Sequence, residues 1–114
     1  MRAGARLQDV ANTAKWWVPL MPVADRDPAL AGADGPRRLR GFLDAYGLDR
    51  AGREAFCEVE IHGATATWHR MRANAEHLGG GWARMWAEGV GDQILRRRAW
   101  MVEQRPALEA AILG

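Results

Sequence analysis

Asp34-Gly35-Pro36-Arg37-Arg38-Leu39-Arg40-Gly41-Phe42-Leu43-Asp44-Ala45-Tyr46-Gly47-Leu48-Asp49 spells a helix with both ends marked, followed at once by the start of another. Asp34 suits an N-cap, because its short carboxylate can accept from a free N–H of the first turn, and Pro36 suits a first-turn position that has no hydrogen bond to lose. Leu39, Phe42, Leu43 and Tyr46 recur at i, i+3, i+4 and i+7, the spacing of one helix face. Gly47 can take the left-handed conformation that ends a helix, and Leu48 can supply the hydrophobic contact of that ending. Asp49 then repeats the N-cap. Two capped helices in succession with no strand between them set the class as all-α.

The same reading extends in both directions. From about Leu7 to Val18, the residues Leu7, Val10, Ala11, Ala14, Trp17 and Val18 keep the helical period, with Asp9 in the opening turn and Pro19 as the stop. Leu20 to Gly35 reads as a long loop punctuated by Pro22, Pro28 and Gly32, with Asp25 and Asp27 as turn formers. A connection of that length suggests function or packing against something else. Beyond Asp49 a third helix reaches about His77, with Phe56, Val59, Gly63, Ala66, Arg70 and Met71 on its inner face. Gly79-Gly80-Gly81 breaks it. Trp82 to Glu88 forms a short amphipathic turn, Asp92 caps a further helix, and Pro106 opens a last one ending near Leu113. The expectation is one domain over residues 1–114, an irregular bundle of about five or six helices.

Composition excludes several function classes. At 114 residues the chain has room for one modest core. Its single cysteine, Cys57, cannot form an internal disulfide. No apolar run approaches the ~20 residues of a membrane span, and none follows Met1-Arg2-Ala3-Gly4-Ala5-Arg6 as a signal peptide requires, so a cytoplasmic chain without a membrane partner is expected. The net charge of +2 is small, Lys15 is the only lysine, and arginine is interspersed with Asp and Glu, which argues against nucleic acid. The Arg96-Arg97-Arg98 triplet would point in directions about 100° apart on a helix and reads as a solvated face rather than a patch.

Gly4-Ala5-Arg6-Leu7-Gln8-Asp9-Val10-Ala11, the following Trp16-Trp17-Val18-Pro19-Leu20, and Arg38-Leu39-Arg40-Gly41-Phe42-Leu43-Asp44-Ala45-Tyr46-Gly47-Leu48 stand in an order that resembles the aminoglycoside phosphotransferase family of kinase-like small-molecule phosphotransferases. The similarity covers about residues 4 to 48. It implies the helical subdomain of a kinase-like C-lobe, shaping the pocket for a small polar acceptor such as an aminoglycoside. It also implies Mg-ATP as cofactor of the complete enzyme. The family's His-x-Asp followed four residues later by Asn does not occur here: His62, His69 and His77 are followed two residues later by Ala64, Met71 and Gly79. Gly79-Gly80-Gly81 and Gly89-Val90-Gly91 do not complete a phosphate loop. No catalytic residue is therefore assigned. The chain reads as a truncated or split-off piece, inactive alone, whose partner would be the missing catalytic half.

The resemblance gives Asp9 the role of holding the catalytic loop through backbone N–H groups. Without it, Asp9 is a first-turn carboxylate worth about 0.3–1 kcal/mol to the helix. Six tryptophans are many for this length. They read mainly as packing residues at helix crossings, with Trp82 and Trp86 the best candidates for a groove that holds a ring by a flat apolar face. Asp25, Asp27 and Glu58, with Glu54 and Glu60, are the carboxylates that a polycationic substrate could meet; the alternative is a solvated face. Glu58 and His62 share i, i+4 spacing, but two ligands do not make a metal site, and none is expected. The rival function is a free-standing helical module that self-associates or packs on a partner protein.

Overall fold

The computed structural model describes residues 3–114, with side chains from Arg6 onward, and the described residues form five α-helices and no strand. They are α1 (Ala3–Trp17), α2 (Gly35–Tyr46), α3 (Arg50–His77), α4 (Gly80–Ala87) and α5 (Val90–Leu113). The parts of the opening sequence reading that fall on Met1 and Arg2 lie outside these residues.

The ends of α2 follow the sequence signals. The Asp34 carboxylate accepts from the Arg37 N–H at 3.1 Å, Gly47 takes φ +66°, and the Asp49 carboxylate accepts from the Gly52 N–H at 2.8 Å to start α3. Leu39 and Leu43 are buried on one face of α2, as the spacing requires.

α3 and α5 form the spine of the molecule. They run antiparallel, as their cross-links show: Arg98 donates to Thr65, Arg105 to Glu58, and Arg53 to the Ile112 carbonyl. α1 packs on α3 and α2, and α2 packs on α5. The core gathers at one end, where Val10, Val18, Leu20, Leu39, Leu43, Phe56, Met101 and Leu108 are each almost wholly buried. No residue from Thr65 to Val90 is buried, so the far half of α3, with α4, forms an arm outside that core. The arm is joined by an edge-on contact of Trp68 with Trp86, ring centres 5.5 Å apart, and Trp86 lies so close to Gly91 that a Cβ there would sit 2.8 Å from its ring. The overall extents of 44 × 34 × 21 Å reflect this elongated plan.

Several details differ from the sequence expectation. Asp9 is in the second turn of α1, because the helix already begins at Ala3, so it does not sit where the helix dipole is strongest. Asp92 is inside the first turn of α5 rather than its cap; Gly89, at φ +100°, makes the turn and the helix starts at Val90. Pro106 does not open a separate helix but lies within α5. It removes one backbone hydrogen bond, but Met101, Leu108 and Ile112 hold both halves in the core, and Arg105 bridges the site to Glu109 at 2.8 Å and to Glu58 at 2.7 Å. On α3 the buried face is Gly52, Phe56, Cys57, Glu60, Ile61 and Ala64, not the line through Val59, Ala66 and Arg70.

Residues 20–34 connect α1 to α2, with single 3-10 turns at Val23–Asp25 and Pro28–Leu30. Arg26 supports them from within: it donates to the carbonyls of Met21, Ala31 and Ala33 and lies over the Trp100 ring at 5.7 Å. Arg38 does the same for the end of α1, donating to Val18 O at 2.7 Å and Trp17 O at 2.8 Å. Such clamps satisfy the carbonyls that a helix end leaves free.

Cys57 is buried in the core. Burial first, and the Glu109 carboxylate second, push its thiol up to about 12. Labelling with a thiol reagent at pH 8 should therefore run roughly a thousandfold slower in the native chain than in urea, because the reactive thiolate is depleted tenfold per pKa unit. Native labelling at the unfolded rate would show that Cys57 is not enclosed as described.

Candidate functional site

α1 turns two aromatic side chains outward at its C-terminal end. Trp16 is 57% exposed and Trp17 64% exposed, and Tyr46, 43% exposed, stands nearby at the end of α2. Trp17 and Tyr46 line a shallow hollow of about 480 Å³ with Thr13, Val18, Arg38 and Phe42. Its floor is rigid, because Val18 is in the core, Arg38 is fixed on the α1 carbonyls and Phe42 stacks on Tyr46 at 4.8 Å. The expectation that the tryptophans serve helix crossings thus holds for Trp68, Trp86 and Trp100, which are partly buried against neighbouring elements, and fails for Trp16 and Trp17.

On the other side of the same helix end, Trp16 and Trp17 form a second groove of about 370 Å³ with Pro19, Met21, Asp25, Asp27 and Leu30. The structure therefore brings Asp25 and Asp27 together beside aromatic faces. Asp25 is tied by two hydrogen bonds to Arg96, at 2.8 and 3.0 Å, which hold its carboxyl below the usual range. Asp27 accepts from the Ala29 N–H at 2.9 Å.

Trp82, Trp86 and Glu58 do not join this groove. Trp82 lines a separate open hollow on α4 with Met85, Arg84 and Glu88, while Trp86 faces inward to Trp68 and Gly91. Glu58 faces α5, where Arg105 at 2.7 Å lowers its pKa, with His62 at 2.8 Å on its other oxygen. Asp9 is exposed on α1, and its backbone carbonyl accepts from Thr13 at 3.1 Å. Among the described residues no three His, Cys, Asp or Glu side chains converge as a metal site, and no helix is long and apolar enough to cross a membrane.

In the arginine triplet Arg96 and Arg98 are exposed, as a solvated face requires, but each has a partner, and Arg97 is not exposed. Arg96 pairs with Asp25, Arg98 donates to Thr65 at 2.9 Å, and Arg97 is half-buried towards Glu60. Glu60 is the residue that the sequence reading placed among surface carboxylates and the fold buries, at 7% exposure. Burial raises its carboxyl to about 7, with Lys15 and Arg97 acting in the opposite sense. The signal was available: Phe56, Glu60 and Ala64 are four residues apart on one helical face.

Compared with family models, with curated proteins and with solved structures, the chain gave no match.

Proposed function

We propose that this chain is the acceptor-shaping helical part of a kinase-like small-molecule phosphotransferase, working against a catalytic segment that these residues do not include. One observation carries the reading. The residues that resemble the aminoglycoside phosphotransferase family divide into two sets. Leu7, Val10, Ala11, Val18, Leu20, Leu39, Leu43 and Leu48 are core, and folding alone accounts for them. Asp9, Trp16, Trp17 and Tyr46 are exposed, so the core does not account for them. Exposed aromatic residues on a rigid base are the expected sign of a surface shaped for something else. In this reading the Trp17–Tyr46 hollow receives the catalytic segment, Asp9 supports its loop, and the Trp16–Asp25–Asp27 groove borders the acceptor. Mg-ATP and catalytic carboxylates would come from the other segment, since phosphoryl transfer needs metal, carboxylates and a cationic clamp in one place.

The same exposed face favours one rival, a helical module that pairs with a second copy of itself. Light scattering and a pull-down against the nucleotide-binding half of an aminoglycoside phosphotransferase separate the two. The proposal expects a one-to-one complex with that half and phosphorylation of an aminoglycoside only in the mixture. Trp17→Ala should weaken the complex roughly tenfold or more, as loss of a central aromatic anchor does, while changing stability by less than about 1 kcal/mol, as an exposed substitution does. A stable homodimer through Trp17 and Tyr46 that ignores the added half would overturn the phosphotransferase reading.

A further inference from the structure

Away from the aromatic face, α1, the middle of α3 and α5 enclose a polar hollow of about 340 Å³. Lys15 from α1, Glu60 and Arg70 from α3 and Arg97 from α5 line it, with Asn12 and Thr67 beside them. Glu60 Oε1 is fully covered and has no hydrogen-bond partner among the described residues. The ion pairs of those residues leave Glu60 out as well. A buried carboxyl without a donor is costly, and folds retain such groups mainly where something else completes them. The cations around it are equally unmatched. Burial and then repulsion from Arg97 hold Lys15 below its ordinary range, and burial lowers Arg97.

Two cations acting on one carboxyl, with Arg70 further along the same hollow, make an anion site with a single acceptor built into it. A fully deprotonated anion would meet Glu60 lone pair to lone pair. An oxyanion that carries its own hydroxyl hydrogen would not: the hydroxyl donates to Glu60, and the remaining oxygens face the cations, as charge-assisted hydrogen bonds prefer. We propose that this hollow binds a protonated phosphate oxyanion, whose P–OH donates to the Glu60 carboxyl where it lines the hollow, while Lys15 and Arg97 take its negative oxygens and Arg70 faces the same hollow. The source is either inorganic phosphate or the phosphomonoester of a small metabolite, for which the hollow has room. The charged groups acting on Glu60 from the surrounding helices are Lys15 and Arg97, Arg70 lines the hollow further along α3, and the Cys57 thiol, which the Glu60 charge also raises, lies behind it on the same helix. Because Glu60 titrates near 7, ligand and carboxyl can share one proton either way round between pH 6 and 8. Sulfate brings no proton in that range, so it binds only while Glu60 holds one.

This site stands independently of the phosphotransferase reading, and its test needs no catalysis. Isothermal titration of the chain with inorganic phosphate, sulfate and glycerol 3-phosphate, at pH 6 and pH 8 and low ionic strength, should give saturable phosphate binding at both pH values. Sulfate should match phosphate at pH 6 and bind about tenfold more weakly than phosphate at pH 8, the factor by which Glu60 is deprotonated across one unit. Glu60→Gln should remove the loss of sulfate affinity between pH 6 and pH 8, and Arg97→Met should weaken both anions. At pH 6, where both sources can carry a P–OH, tighter binding of the ester than of inorganic phosphate supports the site with a metabolite as its source; the reverse order there supports it with free phosphate. No saturable binding of either phosphate source by a chain whose circular dichroism is helical would overturn the proposal. So would equal affinity for phosphate and sulfate at pH 8 in the unaltered chain.

Discussion

Glu60→Gln will abolish a fall in stability of about 2–3 kcal/mol that the unaltered chain shows between pH 5 and pH 8. The carboxyl titrates at its ordinary 4.5 in the unfolded chain and at about 7 in the fold, chiefly because it is buried. The fold therefore holds the proton more tightly than the unfolded chain does. Below the unfolded value both states carry the proton and Glu60 costs the fold least. As pH rises above 4.5, the unfolded chain releases its proton and gains, while the folded chain must wait until about 7. Above that value the loss is complete. Lys15 and Arg97 reduce it without cancelling it, since neither stands in ion-pair contact with the carboxylate among the described residues. Urea unfolding of both chains at pH 5, 6, 7 and 8, in buffer free of phosphate and sulfate, checks the prediction. Taking the difference between the two chains removes the contribution of every other titrating group. Curves that stay parallel across the range would show that Glu60 is solvated rather than enclosed.

That a group with this cost sits at the centre of α3 bears on how far the fold was legible from residues alone. Local signals sufficed where one residue decides the geometry by itself. Asp34, Gly47 and Asp49 act through their own side chain or their own φ, and the ends of α2 and the start of α3 fall where they indicate. The signals misled where tertiary contacts outweigh a local preference. Pro106 reads as a helix start, but buried Met101 before it and buried Leu108 and Ile112 after it outweigh one missing hydrogen bond. Periodicity on α3 was ambiguous because Ala and Gly recur on several of its faces, so the stripe through Val59 and Ala66 looked as apolar as the buried one through Phe56, Cys57 and Ala64.

The candidate site was legible only in part, for a related reason. Asp25 and Asp27 meet Trp16 and Trp17 because Arg26 folds residues 20–35 back over α5, and no spacing rule foretells a carbonyl clamp. The arginines looked like a compositional bias in the sequence. In the fold Arg26, Arg38 and Arg53 each take two or more backbone or carboxylate oxygens. Each depends on partners brought near by folding, which is why their roles could not be read from neighbours in the chain.

Phe56→Ala should cost about 3–5 kcal/mol, the usual loss for an aromatic side chain removed from a closed core. Phe56 is the largest fully buried side chain among the described residues and belongs to the one core cluster that residues of α1, α2, α3 and α5 share. The hole it leaves cannot be filled from the arm, because no residue from Thr65 to Val90 is buried and the arm shares little of the core. Nor can α3 shift to close it, since its start is capped by Asp49 and its side is tied through Arg53 to Leu48 O and Asp44. A domain of this size has only about 5–15 kcal/mol in total, so the melting temperature should drop by at least about 10 °C. Trp82→Ala, on the arm, supplies the contrast. It removes more atoms than Phe56→Ala, but from a residue 39% exposed outside the core, and should cost less than about 1 kcal/mol. Thermal melts of the two variants test the division of the molecule into one stabilising end and one outlying arm. Comparable losses would mean that the arm contributes to the same cooperative core, and that the exposed tryptophans stabilise the fold rather than stand ready for something outside it.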